Sequence, residues 1–209
     1  MRHPRLATAL LCGVALLLAW SAYHPKDWFV WMLEVAPAVG AGVLLVATRK
    51  RFPLSSLAYI LIAIHAAILI VGGHYTYAEV PIGNWLRDTF DLSRNHYDRL
   101  GHLAQGFIPA IVAREVLLRC TPLRPGGWLF YLVLSVTVAI SGVYEIIEWL
   151  VAEFDAGGST AFLGTQGDVW DTQKDIALCL IGTTASLLTL SGLHDRQLAQ
   201  DSHSRTAGA

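Results

Sequence analysis

Two pairs of side chains in the second half of the chain have the types and spacing of a metal site or a proton-transfer site. Asp98 and His102 lie four residues apart in NHYDRLGHL, and Glu145 and Glu148 lie three residues apart in VYEIIEWL. In an α-helix both spacings place the two side chains on one face. A carboxylate beside an imidazole could ligate a metal or orient the ring for proton transfer. Asp98 could instead cap its helix, with His102 an ordinary histidine at the membrane interface.

The two glutamates lie inside an apolar segment, where an uncompensated charge is costly. A divalent cation, a histidine or a shared proton would each compensate them, and simple solvation is the alternative. Downstream, Asp168, Asp171 and Asp175 are spaced so that a helix beginning near Gly167 would align all three on one stripe. The alternative is that these three acids interact only with the dipole at the start of that helix and bind nothing.

These acids, with histidines from two other segments, are expected to meet at one end of a helical bundle. The predicted metal ligands are Asp98, His102, Glu148, Asp168 and Asp175. The predicted catalytic residues are Glu145, Asp171 and His96, and the residues expected to support them or to contact substrate are His74, Glu79 and Lys174. A mixed set of imidazole and carboxylate suits Zn, Mn or Fe, whereas carboxylates alone favour Mg or Ca. The sequence therefore predicts a divalent metal, among Zn, Mn, Fe and Mg, without choosing between them.

The elements that must position these residues are long apolar runs. A bilayer core about 30 Å thick needs about 20 mostly apolar helical residues. Six runs approach that length, at residues 6–22, 28–47, 54–72, 97–118, 128–152 and 175–193. The chain is therefore predicted to be an all-α integral membrane protein with about six transmembrane helices. Residues 1–196 form a single domain in this interpretation, and residues 197–209 form a flexible cytoplasmic tail.

The distribution of basic residues predicts the orientation of the bundle. Short loops rich in Lys and Arg stay in the cytoplasm, and Arg49, Lys50 and Arg51 form the strongest such loop. Both termini are then cytoplasmic, and most acidic residues fall on the outer side. The first run could instead be a secretory signal peptide, which would leave the rest of the orientation unchanged.

Composition excludes several classes of protein. Of the 209 residues, 54% are hydrophobic and 15% charged, and the mean hydropathy is +0.48, which disfavours a soluble domain and a disordered chain. The formal net charge of −1 gives no basic surface for nucleic acid, so no nucleic-acid partner is expected. The three cysteines lack metal-binding spacing and are interpreted as small buried apolar side chains.

The segments GGHYTYAEVP, RNHYDRLGHLAQGF, SGVYEIIEWL and GTQGDVWDTQKDI resemble the YjdF-type family of bacterial inner-membrane proteins. The similarity covers roughly residues 72–193. It implies a polytopic protein of the bacterial inner membrane whose characteristic residues include the acids and histidines above. It implies no catalytic role for any of them.

Three functions are compatible with this pattern. The first is a metal-dependent hydrolase or transferase that acts on a lipid or lipid-linked substrate at the extracytoplasmic interface. The second is a cation- or proton-coupled transporter in which Glu34, His65 and Glu115 form a path inward. The third is an accessory membrane subunit whose polar cluster binds a partner protein. The sequence contains no soluble-enzyme nucleophile or phosphate-loop motif, and the oligomeric state is left open.

Overall fold

The structure is a computed structural model that describes residues 4–154 and 165–206, with side chains described through residue 200. Within these ranges the chain forms seven α-helices, one 3-10 turn and no β-strand. The helices are α1 (Pro4–Ser21), α2 (Trp28–Thr48), α3 (Ser56–Tyr75), α4 (Pro81–Thr89), α5 (Tyr97–Cys120), α6 (Gly127–Phe154) and α7 (Asp171–Thr206), and the 3-10 turn is Tyr77–Glu79. The predicted all-helical fold class is confirmed.

Four of these helices are long and apolar enough to cross a bilayer: α2, α3, α6 and the part of α7 from Asp171 to Gln200. The other two predicted spans correspond to α1 and α5. The apolar part of α1 is short, running from Arg5 to Ser21. The 24 residues of α5 are about 36 Å long, which is sufficient, but charged side chains occupy both of its ends. The sequence predicts about six spans and the described structure has four candidate spans; α1 and α5 are the two helices that make this difference.

Local sequence sets the start of two membrane helices. Asp27 caps α2, because its Oδ1 accepts hydrogen bonds from the backbone nitrogens of Phe29 and Val30 at 2.8 and 3.0 Å. Ser55 caps α3 in the same way, accepting from the nitrogen of Ala58 at 3.3 Å. Both residues are of the types that satisfy the free N–H groups at a helix start.

Two elements differ from the sequence prediction. The short helix α4 lies between the predicted spans 54–72 and 97–118, and its nine residues are too few to show a clear period in the sequence. The last helix begins at Asp171 and not near Gly167, because Gln166 and Gly167 adopt positive φ angles of 46° and 86° and form a turn. Asp168 is therefore outside α7, and α7 itself continues to Thr206, beyond its predicted end at residue 193.

Helix α5 is the centre of the bundle and packs on α3, α6 and, most extensively, α7. Helices α1 and α2 join through α3. The crossing of α5 and α7 is close because both helices carry a glycine there. A Cβ atom at Gly106 would collide with the backbone of Cys179, and one at Gly182 would collide with the backbone of Leu103. This close approach brings the first turns of α5 and α7 side by side.

The bundle has two chemically different ends. At the acidic end, α1, α3 and α6 finish and α2, α5 and α7 begin; the opposite end is the basic end, which holds Arg49, Lys50 and Arg51. A buried glutamate joins three helices at the basic end. Glu115 accepts from the nitrogen of Ser55 at 3.0 and 3.1 Å, from Arg119 at 2.7 Å, and bonds to His194 at 3.1 Å.

Candidate metal centre

Three predicted ligands meet at the acidic end. Asp98 and His102 of α5 and Asp175 of α7 each offer a ligand atom, and these atoms all lie within 4.8 Å of one another. All three side chains are buried, and we call them the triad. The i,i+4 spacing places His102 Nε2 3.5 Å from Asp98 Oδ1 on one face of α5. Asp175 completes the triad because α7 crosses α5 so closely.

Both ring nitrogens of His102 face oxygen atoms of neighbouring side chains. Nδ1 lies 3.2 Å from Oε1 of Gln105 and 3.6 Å from Oε1 of Glu145. In the tautomer that donates from Nδ1 to the Gln105 oxygen, Nε2 faces Asp98 and is the nitrogen available to bind a metal. A histidine that binds metal through one nitrogen and donates from the other to a carboxylate or carbonyl is the usual arrangement in proteins.

A fourth helix contributes a carboxylate that sequence reasoning did not place here. Glu34 of α2 is 4% exposed and accepts a hydrogen bond from the Tyr144 hydroxyl at 3.2 Å. It is close enough to Asp98 and His102 to interact with them electrostatically. His65, which the transport hypothesis also invokes, has no hydrogen-bond partner at its Nε2 among the described residues.

Buried negative charge at the acidic end exceeds buried positive charge within the described part of the chain. Six carboxylates there are no more than 8% exposed: Glu34, Asp98, Glu145, Glu148, Asp171 and Asp175. The buried side chains that can offset them are Arg94 and His102. Uncompensated carboxylates in a membrane-length bundle are strongly destabilising, so additional protons or cations must accompany them.

Several of these carboxylate oxygens are also left without a hydrogen bond. Asp98 Oδ2, Glu145 Oε1 and Asp175 Oδ1 are buried and have no hydrogen-bond partner within residues 4–154 and 165–200. Asp98 Oδ2 has only a longer ionic contact, 3.6 Å from Arg94 Nη2. Buried polar atoms in proteins are nearly always bonded, so a water, a proton or a cation is expected to accompany these three oxygens.

Arg94, which sequence reasoning also missed, ties the two halves of the site together. Its Nη1 binds Asp171 and donates to the carbonyl oxygen of Thr165 at 3.0 Å. It thereby holds the turn that precedes α7 against the residues that precede α5. Arg94 precedes α5, so no helical spacing in the sequence identifies it.

Asp168 lies outside the triad and binds cations from two segments. Its Oδ2 accepts from Arg99 at 2.7 Å and from Lys174 at 2.5 Å. The hydrogen bond from Lys174 holds the pKa of Asp168 below its usual range.

His96, half-buried before α5, accepts a hydrogen bond from Arg99 at its Nδ1, at 3.3 Å. Burial, and then the charges of nearby arginines, hold the pKa of His96 below its ordinary value, which favours a neutral ring.

His74 and Glu79 lie at the periphery of the acidic end. His74 Nδ1 donates to the carbonyl oxygen of Ser21 at 2.9 Å, and its ring packs on Trp20. Glu79 forms an exposed ion pair with Lys26. Of the predicted site residues, the structure therefore brings together Asp98, His102 and Asp175, surrounded by Glu145, Glu148 and Asp171. It leaves outside this group His74, Glu79, His96, Asp168 and Lys174.

A bundle of membrane-length helices that encloses charged side chains defines a polytopic helical membrane protein. The chain belongs to the family described as "Predicted membrane protein (DUF2238)", whose model matches residues 6–196. It is 45% identical over 195 residues to inner membrane protein YjdF of Escherichia coli (strain K12), an alignment that covers 93% of each chain. The predicted resemblance is thereby confirmed. No solved structure matches the chain.

Proposed function

We propose that the triad binds a divalent metal ion inside the membrane domain. The observation that carries this proposal is the convergence of three ligand atoms within 4.8 Å, beside carboxylate oxygens that lack hydrogen bonds within the described residues. One divalent ion would supply the positive charge that Arg94 alone does not. With Nδ1 donating to Gln105, His102 would coordinate the metal through Nε2.

The ligand set favours a transition metal. One imidazole with several carboxylates suits Zn, Mn or Fe, whereas Mg prefers oxygen ligands alone and retains several waters. Glu148 is a further carboxylate within electrostatic reach of Asp98 and His102, so it could complete the coordination. We therefore rank Zn, Mn and Fe ahead of Mg.

The chemistry we propose for this metal is hydrolysis or group transfer. A bound metal such as Zn²⁺ lowers the pKa of a coordinated water to about 7 and thus supplies a nucleophile at neutral pH. Of the two carboxylates predicted to be catalytic, Glu145 is a better candidate for the general base than Asp171. Its Oε1 has no hydrogen-bond partner among the described residues and lies 3.6 Å from His102 Nδ1. Asp171 is held by Arg94, which makes it a residue that positions the site.

A lipid or lipid-linked molecule is the substrate class that fits the location. Trp20, Trp149 and Trp170 are exposed around the acidic end. Tryptophan prefers the headgroup layer of a bilayer, so the site would lie near lipid headgroups. His96 and Lys174 lie on the same side and could contact an anionic headgroup.

We further propose that the protein lies in the bacterial inner membrane with its acidic end outside and both termini in the cytoplasm. The cluster of Arg49, Lys50 and Arg51 at the basic end supports this orientation. A cysteine introduced at exposed position Asp88 or Arg51 tests it, in a background in which Cys12 and Cys120 are replaced by serine and the buried Cys179 is retained. An impermeant thiol reagent applied to intact cells should label the first and not the second, and the reverse labelling would invert the assignment.

Elemental analysis of the purified full-length protein tests the metal site. We expect about one divalent metal per chain in the wild type and loss of that metal in Asp98→Asn and Asp175→Asn. Asp88→Asn, an exposed acid, is the matched control and should retain the metal. Equal metal content in all four proteins, or no metal in the wild type after growth with each candidate metal, would refute the proposal.

Glu145→Gln separates binding from catalysis, since it should retain metal but lose hydrolysis of lipid phosphoesters.

Transport is a second candidate, favoured by buried hydroxyls in the middle of the bundle. Ser141 and Ser186 are fully buried, and the Ser186 hydroxyl has no hydrogen-bond partner among the described residues. An apolar layer that includes Ile108 and Ile111 separates them from the basic end, which makes a continuous path less favourable. Metal uptake by proteoliposomes that contain the wild type but not Asp175→Asn would support transport over hydrolysis.

A further inference from the structure

A cleft between α1, α2 and α3 lies near the basic end, away from the triad. Its volume is about 460 Å³. Helices α1 and α2 both pack on α3 but hardly on each other, so they leave a wedge between them whose floor is α3. Tyr59, Ala63 and Ala66 of α3 line that floor. The small alanine side chains keep the floor low and the wedge deep.

The walls of the cleft are apolar and its mouth is cationic. Leu11 and Val14 of α1 face Leu45 and Gly42 of α2 across the wedge. No atom lies within 4 Å of the position that a Cβ of Gly42 would occupy, so this glycine widens the cleft. The charged lining residues are Arg49 and Lys50, which follow α2 at one end of the wedge.

The surroundings of the cleft determine what can occupy it. Because α2 and α3 are membrane-length helices, the wedge between α1 and α2 opens towards the hydrocarbon of the bilayer. An acyl chain is the group that this medium supplies. If an acyl chain lies in the cleft, the headgroup of that lipid lies beside Arg49 and Lys50 at the mouth. Basic pockets between membrane helices bind anionic lipid headgroups.

We propose that the cleft is a binding site for one anionic phospholipid. One acyl chain lies between α1 and α2 over the alanine floor, and the phosphate pairs with Arg49 and Lys50. The inference does not depend on the metal site, because the triad lies at the opposite end of the bundle.

Native mass spectrometry of the full-length protein in detergent tests the selectivity. Phosphatidylglycerol and phosphatidylethanolamine with identical acyl chains are the probes. Two cations near the headgroup should favour phosphatidylglycerol about thirtyfold, with one molecule bound per chain. Equal retention of the two lipids would overturn the proposal.

Matched variants test the location. Gly42→Phe fills the wedge and should abolish the phosphatidylglycerol adduct, whereas Gly40→Phe, on the same helix but outside the cleft and with the same free space, should leave it unchanged. The double variant Arg49→Gln, Lys50→Gln should reduce phosphatidylglycerol binding to the level of phosphatidylethanolamine, while Arg51→Gln should retain most of the preference. Retention of the adduct in Gly42→Phe, at an unchanged melting temperature, would show that the lipid binds elsewhere.

Discussion

Replacing Asp175 by asparagine should separate metal binding from folding, because the two effects have opposite signs. Asp175 is 2% exposed and its Oδ1 has no hydrogen-bond partner within the described residues. In a chelator the substitution removes a buried charge that lacks compensation, so the variant should be at least as stable as the wild type. With metal present, the variant lacks one of three ligands and should gain much less stability than the wild type.

The expected magnitude follows from linkage between binding and folding. At a metal concentration of about 100 times the dissociation constant, wild-type stability rises by about 2.7 kcal/mol. For a chain of this size that corresponds to a rise in melting temperature of about 5–11 °C. Mutation of a residue that only supports a metal ligand lowers the metal affinity about 10–100-fold. For removal of the ligand Asp175 itself we take a loss of about 100-fold in metal affinity. The gain at the same metal concentration then falls to about 0.4 kcal/mol, or about 1–2 °C.

Differential scanning fluorimetry of the detergent-solubilised proteins measures these shifts, with each candidate metal added after treatment with chelator. Asp88→Asn is the control and should follow the wild type. The reasoning is refuted if Asp175→Asn gains as much as the wild type from the metal that stabilises it best. It is refuted equally if the variant melts well below the wild type in chelator, since Asp175 would then have a structural role.

Three further predictions concern other parts of the fold. Gly106→Ala should destabilise the bundle by about 1–3 kcal/mol in chemical unfolding, since its Cβ meets the backbone of α7, whereas Gly13→Ala should change stability by no more than about 0.5 kcal/mol. Glu115→Ala should cost about 3–5 kcal/mol of stability but leave the metal content unchanged, because it deprives Arg119 and the buried His194 of the carboxylate that they bind at the basic end. Lys174→Met should raise the pKa of Asp168, because it removes the hydrogen bond that lowers this pKa. A carboxylate with a lowered pKa in the folded state stabilises the fold until the pH falls through that folded-state pKa. Melting curves of the variant should therefore show acid destabilisation beginning at a higher pH than in the wild type.

The spacing of the acids was sufficient to predict much of the site. Asp98 and His102 were expected on one face of a helix at the acidic end, and that is where they lie. Glu145 and Asp175 were expected at the same level because their helices run in opposite directions through the membrane. Periodicity and membrane length constrain depth strongly, so residues at equal depth on neighbouring helices are expected to meet.

Rotation of the helices and the shape of the connections could not be predicted in this way. Glu34 faces Tyr144 because of the way α2 packs on α3, which depends on side-chain fit across the bundle. Asp168 was expected on the stripe of α7, but the turn at Gln166 and Gly167 delays the helix by a few residues. Arg94 belongs to the site through contacts with residues more than seventy positions away in sequence, for which no local pattern exists.

The two polar clusters of the bundle show why burial of charge alone does not define a functional site. Glu115 is fully buried at the basic end, yet both of its oxygens accept hydrogen bonds, and its partner His194 is also bonded to Arg114 at 3.0 Å. That cluster satisfies itself and needs no ligand to hold its helices together. The acidic end contains more carboxylates than cations and leaves oxygens of Asp98 and Asp175 open among the described residues. Open buried oxygens lower the stability of a fold, and the proposed binding of a cation by the triad would offset this cost.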